Sequence, residues 1–383
     1  MKDSHQPTTP LSSSLSLTGS TGVLVLGMHR SGTSAVSGVL HQLGVSLGRA
    51  VSPAGPSNPK GYFENSRVMG LHEELLASLG SSWDDPRPLP PGWWEDPRLA
   101  TFAEQLRRIL EEEFGGEPLW GVKDPRLCRL LPLWIPLLAE LGVRVVAVLV
   151  LRHPGAVAAS NGARTGMARE HALELWLQHT LEAERETRAL PRAVVSYDHL
   201  LLEWRREVEE VARRLELPLR FDEAHGARVA ALLEGELRHF RGELQLPAAQ
   251  PFQGWAQRAW EALLGWHHVG QLDTKLLDGL AEERAPWAAA ALPVRQYLEA
   301  RLAALGGQQG LGAGDLAVAW GAARAEGERL AAENRRLAHD LAACQRQREE
   351  LANSLGALTA TRWFRLASRY WRLRERLRRG APS

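Results

Sequence analysis

Two cysteines in 383 residues, Cys128 and Cys344, are too few and too far apart to build a disulfide framework. That scarcity points to a reducing compartment and a cytoplasmic chain. No stretch reaches about 18 uninterrupted apolar residues, so the sequence offers no membrane span. The formal net charge is only +1, which removes broad electrostatic attraction to nucleic acid. The opening "MKDSHQPTTPLSSSLSLTGS" lacks a charged start followed by an apolar run and reads as a disordered tail, not a signal peptide. What remains is ordinary for a globular protein, with 44% hydrophobic and 24% charged residues. There is room for one large α/β domain and an appendage.

Short apolar runs define the expected sheet. Gly22–Gly27 ("GVLVLG") reads as a buried strand, followed by a helical pattern over Thr33–Leu43 that stops at Gly44. "VRVVAVLVL" at 143–151 and "RAVVSYDHL" at 192–200 read as further buried strands, with helical patterns between. The fold class that follows is an α/β domain with a central parallel sheet and crossover helices, then a helical region and a coiled-coil helix. The boundaries expected are a tail over 1–20, the α/β domain over 21–245, a helical extension over 246–314, a coiled coil over 315–360 and a basic amphipathic tail over 361–383.

The coiled coil is read from its heptads. Leu330, Leu337, Cys344, Leu351 and Leu358 share one position, and Asn334, Leu341, Arg348 and Leu355 share the other. Asn334 stands where a polar residue fixes register and favours a homodimer; the competing reading is one amphipathic helix docked on the body. The last stretch, 361–380, holds eight Arg and one Glu beside Trp363, Phe364, Tyr370 and Trp371. Such a helix suits an anionic membrane surface, at the inner face for a cytoplasmic chain, with about 1 kcal/mol per basic residue near it. It suits a partner-binding tail equally.

The chemistry is expected at "GMHRSGTS", residues 27–34. A strand, a small-residue loop and a helix start make an anion site, because free N–H groups at the helix N-terminus point at the ligand. Gly27-x4-Gly32 has Walker spacing, but Thr33 stands in the place of the lysine and the cation sits in the loop as Arg30. A nucleotide kinase needs that lysine and a magnesium-holding acid, and the strand at 143–151 runs into Arg152 instead. "LRHPGAVAAS" places Pro154 in a first helical turn and Ser160 two turns on, so Arg152 and Ser160 can converge on a second phosphate.

These two motifs, in order and about 120 residues apart, resemble those of the sulfotransferases that use 3′-phosphoadenosine-5′-phosphosulfate (PAPS). The resemblance covers residues 21–245 and is nearest to bacterial sulfotransferase-like proteins, where "GMHRSGTS", "GYFE" and "KDPR" blocks occur. It implies that Arg30, Ser31, Gly32, Thr33 and Ser34 hold the 5′-phosphosulfate and that Arg152 and Ser160 hold the 3′-phosphate. It implies a donor substrate, PAPS, and no metal. Together with the loop, it implies that the α/β domain is P-loop-like and three-layered. Arg30, the loop amides and the hydroxyls would neutralise charge developing on the leaving group.

Two carboxylates compete as the base that takes the acceptor's proton. Glu64 precedes a helical pattern in "NPKGYFENSRVMGLHEELL", and a buried carboxylate there can act as general base. In "WGVKDPRLC", Lys123, Asp124 and Arg126 gather at an expected strand end. Lys123 is placed to polarise the transferring group, and Asp124 is the base or orients Lys123 and Arg126. His29 is read as structural, as are Tyr197 and Asp198. Arg238, His239 and Arg241 form a late basic segment, which the resemblance implies closes over the 3′-phosphate; a solvated helix face is the alternative.

Trp83, Trp93 and Trp94, with Asp84, Asp85 and Asp96 in a Pro-rich loop, suit stacking on a sugar. A carbohydrate or glycolipid hydroxyl acceptor is therefore expected, with a peptide or small natural product as other acceptors and simple packing of the loop as the alternative role. The alternatives to a sulfotransferase are a P-loop nucleotide kinase and a non-catalytic nucleotide-binding coiled-coil scaffold.

Overall fold

The computed structural model describes residues 16–55, 58, 60–234, 251–270 and 272–285, with Arg336 and Gln347 as isolated positions. The heptad seam and the basic tail, and with them the expected dimer and membrane contact, otherwise lie outside the described residues, as do Arg238, His239 and Arg241. Among the described residues no helix is long and apolar enough to cross a membrane.

Four strands form one parallel sheet: β1 (Thr21–Leu26), β2 (Leu119–Lys123), β3 (Arg144–Leu151) and β4 (Arg192–Ser196), in the order β2-β1-β3-β4. All pairings are parallel, with Val25 opposite Lys123 and Leu26 opposite Leu149. The helices are α1 (Thr33–Gln42), α2 (Ser66–Ser78), α3 (Ala100–Phe114), α4 (Leu127–Glu140), α5 (Pro154–Thr165), α6 (Arg169–Glu186), α7 (Tyr197–Leu215), α8 (Glu223–Leu233) and α9 (Pro251–Val269). A further helix, α10, runs over 274–285.

The strand interiors are apolar on both sides, with polar residues only at the ends, because both sheet faces are covered. Side chains alternate between faces, so Val23, Val25, Val146, Val148 and Val195 gather with Val36, Val39 and Leu40 of α1 and Val208, Val211 and Leu215 of α7. α8 joins this layer through Val229 and Leu233. On the other face α4 packs on β3, α9 packs on β3 and β4, and α6 lies between α4 and α9. The segment read from sequence as a helical extension thus begins with a helix seated on the sheet.

Three sequence expectations shift in detail. Residues 16–20, assigned to the tail, join the body, because Leu17 is buried and Gly19 N–H donates to Gly142 O at 2.9 Å. The strand expected over 192–200 ends at Ser196, whose hydroxyl accepts from His199 N–H and caps α7. Tyr197, Asp198 and His199 therefore form a first helical turn. The Trp-rich loop is folded inward: Trp93 is buried, Asp85 is buried against Arg87, and Asp96 caps a 3-10 turn. Arg129 holds the loop by donating to the carbonyls of Asp85 and Arg87.

Candidate functional site

The residues singled out at two sequence positions meet at the carboxyl ends of β1 and β3, the edge where open α/β sheets hold ligands. The loop leaves β1 in a left-handed course, with φ of 70° at Arg30 and 94° at Gly32. A non-glycine residue there is strained, and Arg30 is held from two sides. Arg152 Nη1 donates to its carbonyl oxygen at 2.8 Å, and its own Nε donates to Ser160 Oγ at 2.8 Å. The Arg152 guanidinium also stacks 4.7 Å from the Tyr197 ring centre. That same ring closes on Gly32, where a Cβ would fall 2.1 Å from Tyr197 Cδ2. Only glycine fits.

Beneath the loop, Gly27 N–H donates to Cys128 Sγ at 3.1 Å, and burial pushes that thiol up to about 12. Asn161 Nδ2, one residue past Ser160, donates to His29 O at 3.3 Å and to Val157 O at 3.0 Å. Gly32 is the N-cap residue of α1, and Thr33 and Ser34 form its first turn. Among the described residues, Ser31 Oγ is buried without a hydrogen-bond partner. An unsatisfied buried hydroxyl costs about 1–3 kcal/mol, and a multi-oxygen anion over the loop would satisfy it. The residues thus fit a phosphate.

The loop opens on a cleft of about 470 Å³ lined by His29, Arg30, Thr33, Ser34, Tyr62, Glu64, Met69, Lys123, Arg126, Arg164, residues 52–55 and Asn58. Glu64 and Lys123 form an ion pair in its wall, with Nζ 2.6 Å from Oε1. Lys123 is 3% exposed and Glu64 9%, and both side chains line the cleft. Asn65 accepts from Arg67 N–H and Val68 N–H to start α2, which fixes the backbone beside Glu64.

Asp124, the second base considered from sequence, does not line the cleft. Its Oδ2 accepts from His72 Nδ1–H at 2.7 Å, and its Oδ1 accepts from Arg126 N–H and Arg126 Nη1. Burial acts to raise this carboxyl, but the His72 hydrogen bond and the Arg126 charge outweigh it and hold the group well below the ordinary carboxylate range. Asp124 therefore orients Arg126, which reaches the cleft.

Sequence reasoning missed His72. Its Nε2 accepts from Trp134 Nε1–H at 2.9 Å; an indole N–H only donates, so the imidazole carries its proton on Nδ1, toward Asp124. Trp134→Phe removes the donor and strands a buried acceptor. We expect it to lower unfolding free energy by about 2–3 kcal/mol in urea denaturation.

His29 sits beside Arg30 with its ring 4.7 Å from that of Trp83. Burial, then the Arg126 charge, hold its imidazole well below the usual range. Of the three tryptophans proposed for sugar stacking, Trp83 alone reaches the cleft's neighbourhood through this contact. Trp93 is in the core and Trp94 is 41% exposed, with its ring edge-on to Trp93.

No family model matches the chain, and no curated protein sequence matches it. Among solved structures, the chain is similar to a sulfotransferase domain from an olefin synthase of Synechococcus, at 17% identity over 67% of this chain and 98% of that one, with a TM-score of 0.39. It is similar to a sulfotransferase from Mycobacterium tuberculosis at 12% identity, over 64% and 77% of the two chains, with a TM-score of 0.37. A sulfotransferase from Mycobacterium avium matches at 13%, over 67% and 78%, also with a TM-score of 0.37. The functional reading rests on the chain's own loop, strand ends and cleft.

Proposed function

We propose that the chain transfers a sulfuryl group from PAPS to a hydroxyl acceptor. The observation that carries this reading is the joining of Arg30, Arg152 and Ser160 into one cationic, hydrogen-bonded floor beside a cleft that holds a carboxylate. Arg30, Ser31, Gly32, Thr33 and Ser34 hold the 5′-phosphosulfate. Arg152 and Ser160 take the 3′-phosphate, and Ser160, whose oxygen accepts from Arg30, keeps its O–H to donate. PAPS supplies the sulfuryl group.

In this reaction Glu64 accepts the proton of the acceptor hydroxyl. The new bond joins the acceptor oxygen to sulfur; the bond between sulfur and the 5′-phosphate oxygen breaks. The products are a sulfate ester and adenosine 3′,5′-bisphosphate. Arg30 and the loop amides take up the charge gathering on the departing phosphate, and Lys123 holds Glu64 in place while facing the transferring group. Arg126, fixed by Asp124 and by Glu73 at 2.5 Å, adds positive charge to the wall.

The kinase reading fits less well. Thr33 stands where the lysine would be, and Asp124, the acid that follows β2, has both oxygens engaged. Calorimetry of adenosine 3′,5′-bisphosphate against magnesium-ATP separates the two. We expect the bisphosphate to bind without metal, and Arg152→Ala to weaken it about 10- to 100-fold, as for loss of hydrogen bonds to a charged group. Preference for magnesium-ATP with Arg152→Ala silent would overturn the assignment.

A further inference from the structure

A cluster of three histidines lies outside the cleft and has no part in sulfuryl transfer. His199 belongs to the first turn of α7, and His267 and His268 to the last turn of α9. One ring nitrogen from each lies within 4.8 Å of the others. The rings are mutually close, with centroids 5.0 Å apart for His199 and His267, 5.2 Å for His199 and His268, and 5.0 Å for His267 and His268.

We propose that these three imidazoles bind a divalent zinc-type cation that clamps the end of α9 to the start of α7. His267 gives the strongest reason. Its Nε2 donates to Glu207 Oε1 at 2.8 Å, while its Nδ1 is buried and, among the described residues, has no hydrogen-bond partner. With one ring nitrogen committed to a carboxylate, the other presents its lone pair, which is how metal-bound imidazoles are oriented. Glu207 is itself held by Ser196 N–H at 2.7 Å, so the ring's orientation is tied to the end of β4. The Glu207 carboxylate also places a negative charge next to the incoming cation.

Imidazole nitrogen selects zinc and its neighbours over magnesium or calcium, which prefer oxygen. Tetrahedral coordination at about 2.0–2.1 Å puts ligand nitrogens about 3.3 Å apart. Closing from 4.8 Å calls for side-chain rotation, which the exposed His268 and the half-buried His199 are placed to supply. Three protein nitrogens leave a fourth position for water.

The position gives the clamp a purpose. Tyr197, two residues before His199, is the residue packed on Gly32 and under Arg152. A cation between α7 and α9 would steady that ring from behind, with no contact to the donor.

The test uses the full chain, stripped with a chelator and titrated with zinc chloride by calorimetry, in wild type and in His199→Gln and His268→Gln. We expect one site in wild type, weakened about 10- to 100-fold in each variant. Zinc should also raise the Tm of wild type by about 3–5 °C at saturating metal and leave that of His199→Gln unchanged. His268 is exposed, so His268→Gln keeps the fold and the comparison stands even if His199→Gln is destabilised. Equal zinc affinity in wild type and His268→Gln, or no saturable binding to wild type, would overturn the proposal.

Discussion

Arg30→Ala is expected to lower kcat/KM for sulfuryl transfer about 10³-fold, the effect of removing one preorganised donor from a developing oxyanion. The loss has two origins that can be told apart. The guanidinium charge facing the leaving phosphate disappears, and so does the hydrogen bond to Ser160 that draws α5 against the loop. Arg30→Lys restores the charge without the planar fork. A lysine variant that recovers most of the activity assigns the effect to charge; one that stays as slow as alanine assigns it to the Ser160 contact. Wild-type rates in Arg30→Ala would remove the loop from the reaction altogether. The measurement is steady-state kinetics with PAPS varied at fixed acceptor, beside calorimetry of adenosine 3′,5′-bisphosphate.

The second large effect is expected from Glu64→Gln. Glutamine keeps the size and an acceptor for Lys123 but cannot take a proton, and loss of a positioned base costs about 10²–10⁴ in kcat. Because Lys123 is buried, neutralising its partner also costs stability, up to about 3–5 kcal/mol when a buried pair is broken. Donor binding distinguishes the two consequences. A base gives a fall in kcat with calorimetric bisphosphate affinity essentially unchanged at a temperature where the variant is folded. A purely structural ion pair gives weaker binding and a lower Tm, with kcat preserved in the folded fraction. The latter outcome would return the search for the base to the cleft wall, where His29 is held neutral by burial.

How much of this could be read without coordinates differs residue by residue. The loop was legible because its signal is local: an apolar run, small residues, then helical spacing. Arg152 and Ser160 were legible because a helix fixes their separation. His72 was not, since its partners Asp124 and Trp134 lie 52 and 62 residues away and nothing in a helical "LHEELL" distinguishes a buried relay from a solvated face. The extent of β4 was misjudged because Tyr197 and Leu200 are both buried, so apolar content alone cannot tell a strand from a helix start. The Ser196 cap decides it. In the same way Pro132 and Pro136 lie inside α4, where a proline ordinarily signals a break. The Trp-rich loop looked outward by composition, yet Arg129 reaches two of its carbonyls and turns it in.

Because β1 and β3 are hydrogen-bonded neighbours, with Leu26 opposite Leu149, the distance between Arg30 and Arg152 is set by sheet register, not by their separation of 122 positions in the sequence. Insertions in the crossover connections can therefore accumulate over evolutionary time without moving the two cations apart. The eight residues from Arg152 to Ser160 enjoy no such latitude, since a single addition rotates the serine about 100° around α5. Divergent descendants of this chain should thus vary freely in total length before β3 while keeping that short interval constant. A pattern elastic in the first span and rigid in the second is the appropriate one for finding them.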